Sequence, residues 1–61
     1  MGAKLAYLRK QKGVTQEEMA IAVGVSAQAI SKWEREKNYP DIMLLPIIAR
    51  YFGVTIDYLF Q

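Results

Sequence analysis

The sequence predicts a single all-α domain of five short helices over residues 1–61. Apolar residues recur at three- and four-residue steps, most plainly Met19, Ala20 and Val23, and again Ile42, Leu45, Ile48, Ala49 and Phe52. That is the period of a helix buried along one side. Glycines stand where these runs stop (Gly13, Gly24, Gly53), and Thr15, Ser26, Asp41 and Thr55 stand where they begin. A left-handed residue ends a helix cheaply when it is glycine, and a short side-chain oxygen satisfies the free N–H groups that open the next. A chain this long holds one core and buries only about 60% of its unfolded surface. Its hydrophobic fraction of 52% is ample for that core.

Residues 2–12 read as the first helix, with Leu5 and Leu8 toward the core. Lys4, Lys10 and Lys12 face outward, either as a solvated face or as weak phosphate contacts. Gly13 ends this helix and Val14 locks the turn. The second helix, residues 15–23, opens on Thr15 with Glu18 three residues later, which is a capping box. Gly24 stops it and Val25 plugs the turn. Ser26 caps the third helix, residues 26–35, in which Ile30 and Trp33 point inward. Trp33 shares a face with Ile30 and therefore reads as core, not as a stacking platform for single strands. Tyr39-Pro40 is an extended break, because the residue before proline avoids the helical region. Asp41 caps a fourth helix whose inward positions are Ile42, Leu45, Ile48, Ala49 and Phe52, and Pro46 inside it removes one backbone bond. Thr55 caps a fifth helix, residues 56–60, with Ile56 and Leu59 inward. Trp33, Ile30, Leu8, Leu45, Ile48 and Phe52 are expected in one buried cluster.

The outward positions of the third helix are Ala27, Gln28, Ser31, Lys32 and Arg35. They are short, amide or basic, with no acid among them, and such a face can enter a DNA major groove. Glutamine makes two hydrogen bonds to adenine there, and lysine reaches the guanine acceptors.

The motifs TQEEMA (15–20), GVS (24–26), Ile30 with SKWE (31–34), YPDI (39–42), IARYFGV (48–54) and TIDYLF (55–60) follow one another in order. With them, essentially the whole chain resembles the helix-turn-helix regulators of the phage repressor/Cro type, the XRE family. The resemblance implies the lambda-repressor-like five-helix fold, with the helix-turn-helix at helices 2 and 3. It also implies sequence-specific binding of a double-stranded DNA operator by a transcriptional regulator, a repressor above all, with residues 26–35 in the major groove. Position by position, the base-reading residues would be Ser26, Ala27, Gln28 and Lys32, and the phosphate-contacting residues Gln16, Arg35, Lys37, Asn38 and Tyr39. Resembling proteins often hold an adenine-reading glutamine where this chain has Ala27. Alanine can only meet a thymine methyl, so preference at that position should be weak or thymine-directed.

The resemblance further implies a structural ion pair between Arg9 and Glu34, and a Leu-Pro at Leu45-Pro46 that leaves one fourth helix bent in its first turns. It implies a homodimer on DNA, on half-sites about one helical turn apart, with Tyr58 and Phe60 as contacts. Many relatives continue into a C-terminal effector or oligomerisation domain. Two places depart from the pattern. Glu36 stands where glycine is common, and a left-handed glutamate costs about 1 kcal/mol or slightly more there, whereas Asn38 takes that conformation more cheaply. Ile21 and Ala22 are apolar where the family tends to be polar.

Composition excludes other classes. The chain has no cysteine and no histidine, which removes disulfides, thiolate and imidazole metal ligands, and the usual general bases and nucleophiles. Neither an enzyme, nor a cofactor, nor a metal is expected. A net charge of +2 and a pI near 9.1 suit an anionic partner. The apolar runs are too short for a bilayer and the first residues lack a signal-peptide pattern, so a cytoplasmic protein without membrane contact is expected. The alternative from another class is a protein-interaction module, such as an antitoxin-like partner-binding domain, using Ile21, Ala22 and Phe60. Salt dependence separates the two, because each phosphate contact adds about −0.9 to the slope of log affinity against log salt.

Overall fold

Three of the helix ends repeat one local solution, Gly-Val followed by Thr or Ser. In the computed structural model, which describes all 61 residues, Gly13, Gly24 and Gly53 take left-handed backbone with φ of 76°, 87° and 70°. The valine that follows each one sends its N–H back along the helix: Val14 to Arg9 O at 3.2 Å, Val25 to Ala20 O at 3.0 Å, Val54 to Ala49 O at 2.9 Å. Each valine also packs against the core. The next residue, Thr15, Ser26 or Thr55, then accepts a hydrogen bond from the N–H three positions on. Stop, plug and cap thus occupy three consecutive residues, and the chain turns sharply with its free backbone groups satisfied.

The helices so delimited are α1 (Gly2–Lys12), α2 (Gln16–Val23), α3 (Ala27–Glu34), α4 (Leu45–Phe52) and α5 (Ile56–Leu59), with a 3₁₀ turn (Ile42–Leu44) leading into α4. The chain is all-helical, as its periodicity predicts. One residue from each helix is fully buried at the centre: Leu5, Met19, Ile30, Ile48 and Leu59. Leu8, Trp33 and Leu45 join them, so the expected cluster forms without Phe52, and Ala20, Val23 and Ala49 fill the small spaces between helices. α3 packs on α2 and α1, and α4 packs on α2, α1 and α5. The central helices therefore hold α3 from behind and leave one of its sides free. No helix is long and apolar enough to cross a membrane.

The fourth helix differs from expectation. Pro46 falls in the first turn of α4, where an N–H would have no helical partner, so no backbone bond is lost and no bend is needed. The residues ahead of it wind as a 3₁₀ turn opened by Asp41, whose Oδ1 accepts from the N–H of Met43 at 2.8 Å. That turn packs chiefly on α4. With little besides α4 against it, Ile42 is 75% exposed and not a core residue. Ile56 is likewise exposed, because a four-residue α5 has one fully inward position and Leu59 takes it. Phe52 is half-buried at the edge of the core, with its ring against Tyr51 in an edge-on pair 5.0 Å between centroids.

Glu36, with φ of 60°, is the one non-glycine residue in left-handed backbone, and Asn38 does not take that role. It follows the end of α3 as glycine follows α1, α2 and α4: the Lys37 N–H reaches Lys32 O at 2.8 Å. Glu36→Gly should relieve the Cβ–carbonyl conflict while loosening the unfolded chain. The net expectation is a gain of about 0.5–1 kcal/mol, read as a melting temperature a few degrees higher. A lower melting temperature would show that Glu36 contributes more through its side chain than its backbone costs.

Candidate nucleic-acid interface

The α2–turn–α3 unit is fixed at both starts by reciprocal or single caps. Thr15 Oγ1 accepts from the Glu18 N–H at 3.0 Å, while Glu18 Oε1 accepts from the Thr15 N–H at 2.8 Å. Ser26 Oγ accepts from the Ala29 N–H at 3.1 Å. Burial of Ile30 and Trp33 then sets the rotation of α3 about its axis. Gln28, Lys32 and Arg35 are exposed on the outward side, with Ala27 and Ser31 half-buried along its edge.

The single acid of α3, Glu34, does not reach that side. Its carboxylate is held by Arg9 of α1: Arg9 Nε donates to Oε2 at 2.7 Å and Nη2 to Oε1 at 3.1 Å. Arg9 Nη1 also donates to Val14 O at 2.9 Å. Gln16, the first residue of α2, adds a third donor, its Nε2 lying 3.0 Å from Glu34 Oε1. Three helices are thereby joined at one carboxylate. Burial pushes the Glu34 carboxyl up, but the hydrogen bonds from Arg9 and Gln16 and the charges of Arg9 and Lys10 outweigh it, and the group sits below its ordinary value. The same bond to Glu34 raises the Arg9 guanidinium against the opposing effect of its own burial.

Around the end of α3, Lys37, Asn38 and Tyr39 are all exposed. Arg35 Nε donates to Ser31 Oγ at 3.2 Å and to Ser31 O at 3.3 Å, so its side chain lies back along the helix. Of the α1 lysines, Lys4 sits 4.0 Å over the Tyr58 ring and Lys12 4.8 Å over the Tyr51 ring. Tyr58 is half-buried beneath that ammonium, while Phe60 is 62% exposed.

Gln28, Lys32 and Arg35 of the outward stripe are thus exposed, as are Lys37, Asn38 and Tyr39 of the loop that follows α3 in the chain. Gln16 is placed differently from the rest, because its amide is already engaged with Glu34 and its removal takes a hydrogen bond from a carboxylate. The link between Ser31 and Arg35 carries a signal in the sequence, a hydroxyl four residues ahead of an arginine on a helix.

A capped helix-turn-helix on a five-helix all-α frame, with an acid-free outward stripe on its second helix, is the reading-head class that transcriptional regulators carry. The chain belongs to the family described as Helix-turn-helix (HTH_3), which matches residues 5–59. It is 50% identical over 54 residues to the HTH-type transcriptional activator BcrR of Enterococcus faecalis, covering 88% of this chain and 26% of that protein. An uncharacterised HTH-type transcriptional regulator of Methanocaldococcus jannaschii is 42% identical over 98% of this chain and 91% of its own length. Among solved structures, the P22 c2 repressor in complex with a synthetic operator superposes with a TM-score of 0.91 at 33% identity, covering 95% of this chain and 88% of that one. The biofilm regulator SinR in complex with DNA gives 0.89 at 28% identity, covering 98% and 97%.

Proposed function

We propose that this domain binds double-stranded operator DNA sequence-specifically as the reading head of a cytoplasmic transcriptional regulator, with α3 in the major groove. The observation that carries the reading is the rotation of α3. Ile30 and Trp33 are locked inward, Glu34 is tied to Arg9 and Gln16, and only amide, hydroxyl, methyl and basic groups face out. Ser26, Ala27, Gln28 and Lys32 meet base edges, with Gln28 suited to adenine and Ala27 to a thymine methyl. Lys37, Asn38 and Tyr39 hold the backbone, and Gln16 offers phosphate its remaining amide proton at the N-terminus of α2, where backbone N–H groups also favour an anion. The regulatory sign proposed is repression, which needs only occupancy of a promoter, whereas activation needs a further surface on polymerase. Dimers form on DNA through the C-terminal helix, with Phe60 as the exposed anchor beside Tyr58.

Gln28→Ala is expected to cost about 1–3 kcal/mol on an operator selected from a random duplex pool, and to relax choice at one base pair. Lys37→Ala should weaken selected and scrambled duplexes alike. The measurement is a pair of titrations per variant at fixed salt, with sedimentation giving the number of domains bound per duplex. Equal weakening of both duplexes by Gln28→Ala removes α3 from the reading role, and a single domain per duplex removes the dimer. The competing reading, a protein-docking surface at Ile21, Ala22 and Phe60, has their exposure behind it: Ile21 is 83% and Phe60 62% exposed, and Ala22 is exposed beside Ile21. It requires an affinity for DNA that is weak and indifferent to sequence.

A further inference from the structure

We propose that Arg35 reads a guanine and does not clamp a phosphate, and that Ser31 is its positioning residue. The inference rests on α3 being the reading helix and names a further specificity-determining side chain on it. Arg35 is the residue that closes α3. A phosphate clamp at a helix end would extend past that end, toward the strand that Lys37, Asn38 and Tyr39 approach. Arg35 instead folds back: its Nε donates both to the hydroxyl and to the carbonyl of Ser31, at 3.2 and 3.3 Å. The guanidinium therefore lies beside the turn of Ser31 and Lys32.

Helical geometry puts that turn in the readout stripe. Residues 28 and 35 are seven apart, two turns less about 20°, so both project to one side, with Ser31 and Lys32 between them. The backward fold brings the guanidinium to about one turn, 5.4 Å, from Gln28. Base pairs follow one another at about 3.4 Å, so the two side chains face base pairs one or two steps apart. The chemistry fits this position. With Nε occupied by Ser31, Arg35 retains its two terminal nitrogens, neither of which bonds to any group of the protein. They form the planar fork that matches O6 and N7 of guanine. No carboxylate competes for them, since Glu34 is engaged by Arg9 and Gln16 and the Glu36 side chain turns toward Gly2.

The test compares Arg35→Ala, Arg35→Lys, Ser31→Ala, Ser31→Thr and Gln28→Ala on the selected operator and on every single-base-pair variant of one half-site. The parent domain should prefer G·C at one position by about 10-fold or more, the discrimination of one bidentate pair. Arg35→Ala should erase that preference, and Arg35→Lys should reduce it, since lysine reaches the guanine acceptors but lacks the planar fork. Ser31→Ala should reduce the preference with no change in melting temperature, and Ser31→Thr, which keeps the hydroxyl, should retain it. Arg35→Ala weakening every duplex equally, with a salt slope lower by about 0.9, would identify a phosphate contact and overturn the inference; no effect on any duplex would also overturn it. If Gln28→Ala still acts at one base pair in that case, only the role of Arg35 falls. If it does not, the reading role of α3 falls too.

Discussion

Glu34→Ala is expected to cost about 3 kcal/mol, near the lower bound for removing one partner of a buried pair, and to lower the melting temperature by roughly 12–24 °C in a domain this small. The carboxylate is the shared acceptor of α1 and α2, through Arg9 at 2.7 Å and Gln16 at 3.0 Å. Side-chain exposure is only 14% for Arg9 and 8% for Glu34, so solvent screening, which reduces surface pairs to about 0–1 kcal/mol, is weak here. Truncation strands the guanidinium with Val14 O as its one remaining partner. A chain of this length has a total stability of roughly 3–9 kcal/mol, so the variant stands close to unfolding. Arg9→Ala should also destabilise, and the double variant should lose less than the sum of the two. Strict additivity in thermal melts would show that the groups do not act as a pair.

The same network makes stability pH-dependent in one direction. The folded Glu34 carboxyl sits below its ordinary value, so on acidification the unfolded chain takes up the proton first and stability falls. The contribution is fully present above the ordinary glutamate range, about pH 4–5, and is lost as pH drops through the lower folded value. Glu34→Gln should flatten this part of the profile relative to the parent. Parallel acid profiles for the two proteins would assign the loss to other carboxylates.

How far the sequence discloses this molecule depends on the range of each interaction. Gly24-Val25-Ser26 and its two counterparts are local: a left-handed residue, a plug and a cap act within a few positions, and the helix ends follow from reading them. Leu5, Met19, Ile30 and Ile48 follow from periodicity in the same way. Periodicity specifies a face, however, and not whether another element lies over it. Ile42 shares the helical step with Leu45 yet stays exposed, because the 3₁₀ turn has chiefly α4 as a neighbour. The candidate reading face divides along the same line. The outward positions of α3 are visible in the residue types, whereas the direction in which Arg35 folds is set by a hydrogen bond. Gln16 is an ordinary N-terminal helix residue until Glu34, eighteen positions away, arrives beside it. The left-handed Glu36 is flagged by family resemblance alone, since glutamate itself carries no such preference.

Gly2 is the extreme case, because nothing near it in sequence indicates that it must be glycine. In a first helical turn, alanine should be the better residue by about 1 kcal/mol, yet Gly2→Ala is expected to destabilise. A Cβ at that position would lie 2.3 Å from Trp33 O, 2.8 Å from the Glu36 Cγ and 3.0 Å from Glu34 O. Two of these atoms are backbone at the end of α3, and Trp33 O is already accepting from the Glu36 N–H at 3.0 Å. They cannot retreat without unwinding the turn that aims Lys37, Asn38 and Tyr39. Overpacking of this kind costs typically about 1–3 kcal/mol and occasionally more, which exceeds the propensity gain. The first turn of α1 can limit the loss by fraying, since Leu5 anchors the helix one turn later. The expected result is a net cost of up to about 2 kcal/mol, the overpacking term less the propensity term, or a melting temperature lower by up to roughly 16 °C. Amide exchange should quicken at the start of α1 and at residues 36–39, while α2 keeps its protection. A Gly2→Ala protein that melts higher than the parent would mean that α1 and α3 do not approach this closely.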